Sequence, residues 1–394
     1  MDQKLSYVLV TPYTVAKSRT GGVIARLLSR LDLELIGAQM IALDEQFTKK
    51  YAEYIRANVD PNNPRAAQLL SDYVENNMGP SQGRKHRSLL LVFRGMDPCK
   101  KLSDTCGALY SENRSVESIT GETIRDTYSD LILDPDHPEK VRYFEPAVLT
   151  PRNQQFADDN LRFFADYLAT QPNIVENMRY PEGAKIERTL VIIKPDNWNH
   201  ASSKPGTILD MFSRTGLRIV GCKIHQMSIA EAMEFYGPVK DVLISKLGPV
   251  FGKKAKETLE AEFKLVLSPE TDQTLTDSFG REYAIDQFDQ IIEFMAGRKP
   301  GDCPVEEMSN PGKVKCMILV YEGENSVVKT REVLGPTDPL KAPSGTIRRE
   351  FGSSIMVNTA HASDSPENAV REMGIIKFEN NNCRRIIQDY LLRQ

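Results

Sequence analysis

Tyr7-Val-Leu-Val-Thr-Pro12 and Leu190-Val-Ile-Ile-Lys-Pro195 are two versions of one apolar segment that ends at proline, and their recurrence decides the fold. When the two segments that follow are aligned with an offset of 184 residues, so that Gly22 matches Gly206, six residues are identical across the predicted helix and strand. These are Gly22, Ile24, Ser29, Arg30, Leu33 and Gly37, matched by Gly206, Ile208, Ser213, Arg214, Leu217 and Gly221. Self-similarity at a fixed spacing is the signature of a repeated structural unit. The sequence therefore predicts two copies of one domain.

The sequence of each copy predicts, in order, a strand, a helix, a strand, paired helices, a strand and a helix. Short apolar runs closed by Pro or Gly predict strands at 7–10 and 88–93, and apolar residues at helical spacing predict a helix at 22–31. This order favours an α+β fold of two tandem ferredoxin-like βαββαβ domains, each an antiparallel sheet covered by helices. The fourth strand of the second copy is expected near 355–358.

The domain boundaries follow from composition. Residues 1–170 are expected to form the first domain and 171–186, which contain Pro172, Pro181 and Gly183, a linker. Residues 187–394 are expected to form the second domain, with a polar, partly helical insertion at 251–286.

The composition indicates an ordinary globular protein. The 394 residues are 40% hydrophobic and carry a formal charge of −4, so no overall basic field exists to attract nucleic acid or an anionic membrane. The six cysteines are scattered without a Cys-x-x-Cys pair, and the N-terminus lacks a signal-peptide pattern. A cytoplasmic protein with reduced thiols is expected.

One histidine in the second copy has the neighbours that phosphoryl chemistry needs. A neutral imidazole is nucleophilic near pH 7 when its other nitrogen is held in one tautomer. Glu372 lies eleven residues after His361, beyond a Ser363-Asp-Ser365 turn that predicts a helix N-cap, so the chain can fold the carboxylate back onto the ring. The alternative is a plain loop histidine and a solvated helix charge, and spacing alone does not decide between them.

The second copy also places polar residues at strand ends, turns and loops, where functional side chains commonly lie. Transfer of a phosphoryl group needs cations and hydrogen-bond donors around its oxygens. The residues that could supply them are Lys194, Arg331, Thr337, Arg348 and Asn358.

Residues 187 to about 378 resemble the nucleoside diphosphate kinases. The matching segments are Arg188-Thr-Leu-Val-Ile-Ile-Lys-Pro-Asp196, Tyr321-Glu-Gly-Glu-Asn325 with Arg331, Leu334-Gly-Pro-Thr-Asp-Pro339, Ser344-Gly-Thr-Ile-Arg348, and Asn358-Thr-Ala-His-Ala-Ser-Asp-Ser365 with Glu372. The resemblance implies ping-pong transfer of the γ-phosphate of a nucleoside triphosphate to a nucleoside diphosphate through a phosphohistidine. It also implies Mg²⁺ as cofactor, bridging the phosphates, with Asp364 as a contact through water and no direct protein ligand.

The same resemblance implies roles for individual residues. His361 becomes the phosphorylated nucleophile and Glu372 its orienting partner. The phosphate and ribose contacts become Lys194, Tyr236, Arg331, Thr337, Arg348 and Asn358, and the slot for the base becomes Phe288, Ile291 and Ile355. The family's stacking phenylalanine falls on Gln287, and Asn197-Trp198 and Ala362 also depart from the family pattern.

The first copy lacks the residues for this chemistry. Lys194 is matched by Thr11 and Arg331 by Ser103, whereas Arg348 is matched by Arg125. The segment that should hold the histidine reads Val141-Arg-Tyr-Phe-Glu-Pro-Ala-Val148, which places Glu145 or a neighbour at the nucleophile position. The nearby His137 lies in a Pro-rich loop. The first copy is therefore expected to be degenerate and inactive.

Because nucleoside diphosphate kinases assemble from dimers, residues 1–170 are expected to supply the partner surface within the same chain, as an intrachain pseudo-dimer. Further homo-oligomerisation stays open, as do base preference and a protein-histidine phosphotransferase activity. The competing function is a regulatory or structural tandem module that binds nucleotide without turnover. Joint retention of His361, Glu372, Lys194, Arg331 and Arg348 favours the enzyme.

Overall fold

The structure is a computed structural model that describes residues 3–58, 64–110, 119–137, 140–380 and 382–393. The chain divides into two compact units. One unit contains Met1–Ile224 and Met317–Gln394, and the other contains His225–Cys316. None of the described helices has the length and apolar character needed to cross a membrane.

The first copy lies in the first unit. Its strands and helices are β1 (Lys4–Val10), α1 (Pro12–Ala16), α2 (Thr20–Arg30), β2 (Glu34–Ile41), α3 (Glu45–Ala57), α4 (Pro64–Tyr73), β3 (Ser88–Gly95), α5 (Pro98–Cys106), α6 (Ile124–Tyr128), β4 (Asp130–Leu133), β5 (Val141–Glu145), β6 (Val148–Leu149) and α7 (Gln154–Leu168). A π-helical turn, Val74–Met78, extends α4.

The elements of the second half follow in the same order, with additional helices. They are β7 (Ile186–Ile193), α8 (Lys204–Ser213), β8 (Arg218–His225), α9 (Ile229–Phe263), α10 (Pro269–Leu275), α11 (Arg281–Ala296), β9 (Cys316–Glu324), α12 (Ser326–Leu334), α13 (Ile347–Phe351), β10 (Ala360–Ala362), α14 (Pro366–Ile375) and α15 (Asn382–Leu391). Short 3₁₀ turns occur at Pro195–Asn197, Pro300–Asp302, Val305–Glu307 and Pro339–Lys341, and a π-helical turn at Thr276–Gly280.

The two four-stranded sheets have the same topology. The first has the strand order β2-β3-β1-β6 and the second β10-β7-β9-β8, which is the same order once each strand is matched to its counterpart. Strand β3 pairs antiparallel with both β1 and β2, and β7 pairs antiparallel with β9. The predicted tandem ferredoxin-like α+β fold is therefore confirmed.

Matching close contacts recur in the two copies. A Cβ on Gly95 would meet Leu33, and a Cβ on Gly323 would meet Leu217, one of the six sequence identities. Likewise Gly107 (φ +86°) lies against Thr123, and Gly335 (φ +83°) lies against Thr346. A side chain at these glycines would collide with its neighbour. The two copies therefore share the close contacts of the glycine backbone as well as the order of their elements.

The fourth strand of the second copy is not where the sequence predicted it. Residues 355–358 are irregular, and β10 begins at Ala360. The reason is local: the amide of Val357 donates to Ser354 Oγ (3.0 Å) and the amide of Ser353 donates to the Val357 carbonyl (2.9 Å), which turns the segment on itself. The β-branched composition predicted a strand that these turn bonds prevent.

One buried cluster contains apolar residues of both copies. Val8 and Leu91 of the first sheet share it with Val191 and Leu319 of the second. Alternation along β1 points Tyr7 and Leu9 to a separate cluster on the other face, where α3, α7 and α15 pack. The second copy's last helix, α15, therefore packs on the first copy.

The second unit is mainly helical. Its 35-residue helix α9 begins at a capping box in which the Glu231 amide donates to Ser228 Oγ and the Ser228 amide donates to Glu231 Oε2. Pro238 and Pro249 lie inside this helix. Residues 251–286, predicted to be a partly helical insertion, lie within this unit and are largely helical.

Candidate active site

His361 is the central residue of the three-residue strand β10. It pairs with Ile192 of β7, and its neighbours Ala360 and Ala362 point into the shared core. Because side chains alternate along a strand, the His361 ring projects from the opposite face. Its side chain keeps 22% of its surface exposed, which leaves the imidazole accessible to a ligand.

Glu372 contacts His361, a contact that the sequence spacing allowed and the family resemblance implied. Ser365 caps α14 by accepting the Asn368 amide (3.1 Å), and Glu372 lies seven residues along, where it is buried. Its Oε2 lies 3.0 Å from His361 Nε2 and accepts a second bond from Ser363 Oγ (2.6 Å). With the proton on Nε2 donated to the carboxylate, the nucleophilic lone pair lies on Nδ1.

Ser363 is a site residue that the sequence reasoning missed. The sequence treated it as part of a turn, but its buried hydroxyl donates to the Glu372 carboxylate (2.6 Å) and its backbone amide donates to the Leu190 carbonyl (3.0 Å). A hydroxyl two residues after the histidine was the only available signal. Two hydrogen bonds on one buried oxygen fix the orientation of the carboxylate.

Lys194 is a buried cation at the end of β7, next to β10. Its Nζ donates to Asn358 Oδ1 (2.7 Å), and its backbone amide donates to the Thr359 carbonyl (2.9 Å). Burial, reinforced by the nearby Arg348 guanidinium, lowers the pKa of Lys194 to about 7. An anionic ligand would stabilise the protonated form of this ammonium group.

Asn358 links three of the predicted site residues. Besides accepting from Lys194, its amide nitrogen donates to the Ile355 carbonyl (2.7 Å) and to the Thr337 carbonyl (3.4 Å). Asn358 is buried, whereas Thr337 is exposed at the turn after α12. The structure thus brings Lys194, Asn358 and Thr337 together.

Arg348 fixes β10 through its guanidinium group. Nη1 donates to the Gly335 carbonyl (2.9 Å) and Nη2 to the Ala360 carbonyl (3.0 Å), next to His361. Arg331 is exposed on α12. The hydrogen bond from Asn368 lowers the pKa of Asp364, and the positive charge of Arg331 adds to this shift. An ionised carboxylate therefore lies near the histidine.

The backbone at Thr359 is strained. This β-branched residue has φ +74°, in the left-handed region that such residues rarely adopt, and it is fully buried. Asn197 Nδ2 donates to its carbonyl (2.8 Å) as well as to that of Lys194 (2.9 Å). Strain of this kind costs about 1–3 kcal/mol and persists where surrounding contacts determine the conformation. Asn197, which departs from the expected family residue, therefore has a structural role here.

Comparisons with known proteins place this site in a family. The sequence profile of the family described as nucleoside diphosphate kinase matches residues 187–244 and 303–382. A nucleoside diphosphate kinase of Cereibacter sphaeroides is 34% identical over 188 residues, which span 91% of that protein and 48% of this chain. The chain belongs to the nucleoside diphosphate kinase family.

Other relatives cover a similar share. A nucleoside diphosphate kinase of Bdellovibrio bacteriovorus is 29% identical over 198 residues, 97% of its length and 50% of this chain. Among solved structures, the Aquifex aeolicus nucleoside diphosphate kinase is 27% identical and covers 49% of this chain and 95% of its own, with a TM-score of 0.30.

Strand register identifies the counterpart of the family histidine in the first copy. The Thr11 amide donates to the Ala147 carbonyl as the Lys194 amide donates to that of Thr359, and Ala147 also has positive φ (+61°). Leu149 then pairs with Leu9, as His361 pairs with Ile192. The expectation that Glu145 or a neighbour holds this position is corrected: the residue is Leu149, because β6 begins after a bend at Pro146.

The partner of the histidine is also replaced in the first copy. Asn160 lies seven residues after the N-cap Asn153, as Glu372 lies seven after Ser365. Glu145 is instead buried and accepts hydrogen bonds from Thr11 (2.6 Å) and Tyr73 (2.5 Å). A leucine and an asparagine cannot form a phosphohistidine site.

One arginine keeps its structural position in both copies. Arg125 donates to the carbonyls of Gly107 and Val148, the counterparts of the Gly335 and Ala360 carbonyls that Arg348 contacts. Arg125 thus retains the bonds that fix the fourth strand although the adjacent histidine is absent. His137 is exposed in the turn between β4 and β5.

The residues expected around the base and ribose are divided between the two units. Tyr236, Phe288 and Ile291 lie in the second unit, where Tyr236 and Phe288 are buried and Ile291 is half-buried. The Lys240 ammonium lies 5.5 Å from the Phe288 ring centre. Ile355 lies in the first unit with 62% of its surface exposed. Their roles in nucleotide binding stay predictions.

The described residues hold no group of three or more His, Cys, Asp and Glu side chains arranged for a metal ion. Asp364, which the resemblance assigned to a hydrated cation, is exposed and its lowered pKa keeps it ionised; that role stays a prediction.

Proposed function

We propose that this chain is a cytoplasmic nucleoside diphosphate kinase that works by a ping-pong mechanism through phospho-His361. The observation that carries the proposal is the pairing of the accessible His361, through Nε2, with the buried Glu372 carboxylate, itself held by Ser363. That pairing occurs in the copy that also keeps Lys194, Arg331 and Arg348. All six cysteines are thiols, as in proteins of a reducing compartment.

In the first half-reaction, the Nδ1 lone pair of His361 attacks the γ-phosphorus of a nucleoside triphosphate. The N–P bond forms as the P–O bond to the β-phosphate breaks, and that electron pair leaves with the nucleoside diphosphate. The imidazole gains positive charge, which the Glu372 carboxylate stabilises through Nε2–H. In the second half-reaction a terminal phosphate oxygen of another diphosphate attacks the phosphorus, and the N–P bond breaks.

The cations around the histidine stabilise the charge on the transferred group. Lys194, Arg331 and Arg348 supply positive charge, and Asn358 and Thr337 supply polar contacts. Because Arg348 and Lys194 are already fixed by hydrogen bonds, little reorganisation is needed when the substrate binds. Mg²⁺, which neutralises nucleotide phosphates, would be held by those phosphates with Asp364 as a contact through water.

We further propose that residues 1–170 act as an inactive domain that replaces the second subunit of a dimer, with 171–186 as the connection and 187–394 as the catalytic domain. The shared buried cluster supports this division of roles. So does the crossing of α2 and α8, where a Cβ on Gly206 would lie 2.4 Å from the Gly21 carbonyl oxygen. The connecting segment also contributes, because Asn173 donates to the carbonyls of Phe378 (2.7 Å) and Asn380 (2.6 Å).

The function is tested by incubating the protein with nucleoside triphosphate labelled at the γ-phosphate and chasing with an unlabelled diphosphate of a different base. We expect acid-labile label on the wild type that chases into the new triphosphate, and none on His361→Ala. His137→Ala, which removes an exposed histidine of the first copy, is the matched control and should label normally. Label retained on His361→Ala would place the nucleophile elsewhere. Nucleotide binding with no label on any variant would favour the non-catalytic module.

A further inference from the structure

A cationic cleft lies in the first unit, away from the residues around His361. Its volume is about 780 Å³, within the range of about 300–1,000 Å³ that small-molecule sites occupy. Its charged side chains come from three parts of the chain: residues 84–87 of the first copy, residues 178–181 of the connection, and residues 216–219 of the second copy. Uncharged residues between 12 and 20 of the first copy, and Leu209, Ser213 and Tyr321 of the second copy, complete the lining. None of the residues assigned to phosphoryl transfer lines it.

The charge of this cleft is one-sided. Its described lining contains five side chains that are cationic at neutral pH and no aspartate or glutamate; these are Arg84, Lys85, Arg87, Arg179 and Arg218. The whole chain carries a net charge of −4, so this concentration of positive charge is local. Two carboxylates that interact electrostatically with cleft cations, Glu322 and Glu176, are already engaged, because both pair with Arg188, at 2.6 and 2.7 Å.

The arginines are held in place by backbone carbonyls rather than by acids. Arg87 Nη1 donates to the Ile219 carbonyl (2.5 Å), Arg218 Nη1 to that of Arg179 (2.6 Å) and Arg179 Nη1 to that of Gln82 (3.4 Å). Each guanidinium has five N–H donors, so donors remain for a ligand. The Arg218 guanidinium also stacks 4.3 Å from the Tyr180 ring centre. These contacts preorganise the positive charge.

A tight turn precedes the basic residues 84–87 and leaves room for the Arg179 guanidinium beside the backbone. Gln82 (φ +49°) and Gly83 (φ +66°) form a turn closed by reciprocal backbone bonds between Ser81 and Arg84. A Cβ on Gly83 would lie 2.8 Å from Arg179 Nη2, so glycine lets the guanidinium approach the backbone.

Two further features indicate that the cleft is incomplete without a polar ligand. His86 Nδ1 is buried with no hydrogen-bond partner among the described residues, although buried polar atoms are normally paired. Burial and the charge of Arg218 lower the pKa of Arg87 to about 10. Binding of an anion would reduce the repulsion between these like charges.

We propose that this cleft is a second ligand site, which binds a small molecule carrying two or more phosphate groups. A single phosphate would leave several of the five cations unneutralised, whereas a chain of phosphates is long enough to neutralise arginines from more than one of the three charged segments. A nucleoside polyphosphate and an inorganic polyphosphate share this chemistry. A long nucleic acid is disfavoured because the positive charge is confined to this one cleft on a chain of net negative charge. The proposal stands independently of the proposed kinase activity.

The test uses isothermal titration of the full chain with two probes, inorganic tripolyphosphate and ATP. The variant is Arg84→Gln with Arg179→Gln, because both side chains are exposed and their loss should not impair folding. The matched control is Arg94→Gln with Arg162→Gln, two exposed arginines outside the cleft. Circular dichroism melting of all three proteins verifies that they are folded.

We expect the wild type and the control to bind one more equivalent of tripolyphosphate than the cleft variant within the range of the titration. The affinity at that site should fall roughly tenfold for each arginine removed, or on the order of 100-fold for both. A parallel loss of ATP binding means that phosphates suffice, and a loss seen with ATP alone means that the nucleoside also contributes; both results support the site.

Two results would overturn the proposal. The first is equal stoichiometry and affinity in the wild type and the cleft variant for both small probes. The second is selective binding of a 20-nucleotide single-stranded RNA that the cleft variant loses while neither small probe binds the cleft, because the surface would then recognise a macromolecule. Neither result depends on whether the chain transfers phosphate.

Discussion

Replacing Glu372 by glutamine keeps the size of the side chain and removes its charge. In the wild type, Glu372 Oε2 lies 3.0 Å from His361 Nε2 and 2.6 Å from Ser363 Oγ, and the carboxylate is only 4% exposed. During attack on phosphorus the imidazole becomes positively charged, so its bond to the carboxylate strengthens in the transition state, whereas the bond from Ser363 changes little. Only the His361 bond therefore contributes to the barrier.

The size of the effect follows from that one bond. A hydrogen bond to a charged group contributes about 1.5–3 kcal/mol. Each increase of about 1.36 kcal/mol in the activation free energy lowers the rate tenfold. Glu372→Gln should therefore slow phosphorylation of His361 by about 10- to 150-fold. Ser363→Ala, which leaves the His361 bond in place, should slow it only a few-fold. Glu367→Gln, at an exposed position in the first turn of α14, should match the wild type.

The assay is single-turnover formation of phosphohistidine by rapid quench, with nucleotide affinity measured separately. Glu372 is a positioning residue, so the phosphorylation rate should fall while nucleotide affinity stays the same. Wild-type phosphorylation rates in Glu372→Gln would refute the assigned role. A fall in thermal stability that accounts for the loss of activity would likewise show that the carboxylate acts only in folding.

Two further predictions concern a buried charge and a helix crossing. Because the pKa of Lys194 is lowered to about 7 and bound phosphate would raise it, nucleotide binding at pH 8 should take up about one proton, and binding at pH 6 close to none. Titration in two buffers of different ionisation enthalpy measures this, and Lys194→Met should abolish it; equal uptake in the variant contradicts the assignment. Without ligand, the unfolded chain keeps the Lys194 proton between pH 7 and about 10, so the wild type should gain up to about 1.4 kcal/mol of stability per pH unit relative to Lys194→Met. Gly206→Ala should cost about 1–3 kcal/mol in urea unfolding, because the new Cβ would lie 2.2 Å from the Ala25 amide nitrogen. Gly374→Ala, with no atom within 4 Å, should change stability by less than about 1 kcal/mol, and an unaffected Gly206→Ala protein would show that α2 and α8 can separate at no cost.

The strands and helices of the fold could be predicted from local sequence patterns, because each pattern depends only on residues close together in the chain. The alternation in β1 and the helical spacing in α2 follow from the periods of strand and helix. Local geometry made the contact between His361 and Glu372 possible, since a capped helix immediately after a short strand returns the chain to it, and the family motif favoured the contact over a solvated charge. The 184-residue shift between the copies then required no structure to detect.

Other features depend on how distant segments meet. The shift that relates the copies changes along the chain, from 184 residues at Gly22 and Gly206 to 212 at Ala147 and Thr359, because insertions separate the shared elements. Only strand pairing could therefore assign Leu149 to the histidine position. The strand predicted at 355–358 failed because side-chain and backbone turn bonds outweighed β propensity.

By itself, the sequence determined the repeated α+β architecture, the family and the pairing of His361 with Glu372, because these follow from periodicity, motif and short-range turns. Only the tertiary structure decided that Ser363 holds the carboxylate, that Lys194 is buried, and that arginines from three separate segments face one cleft. Burial and electrostatic proximity are properties of packing between residues far apart in the chain, which no local pattern encodes.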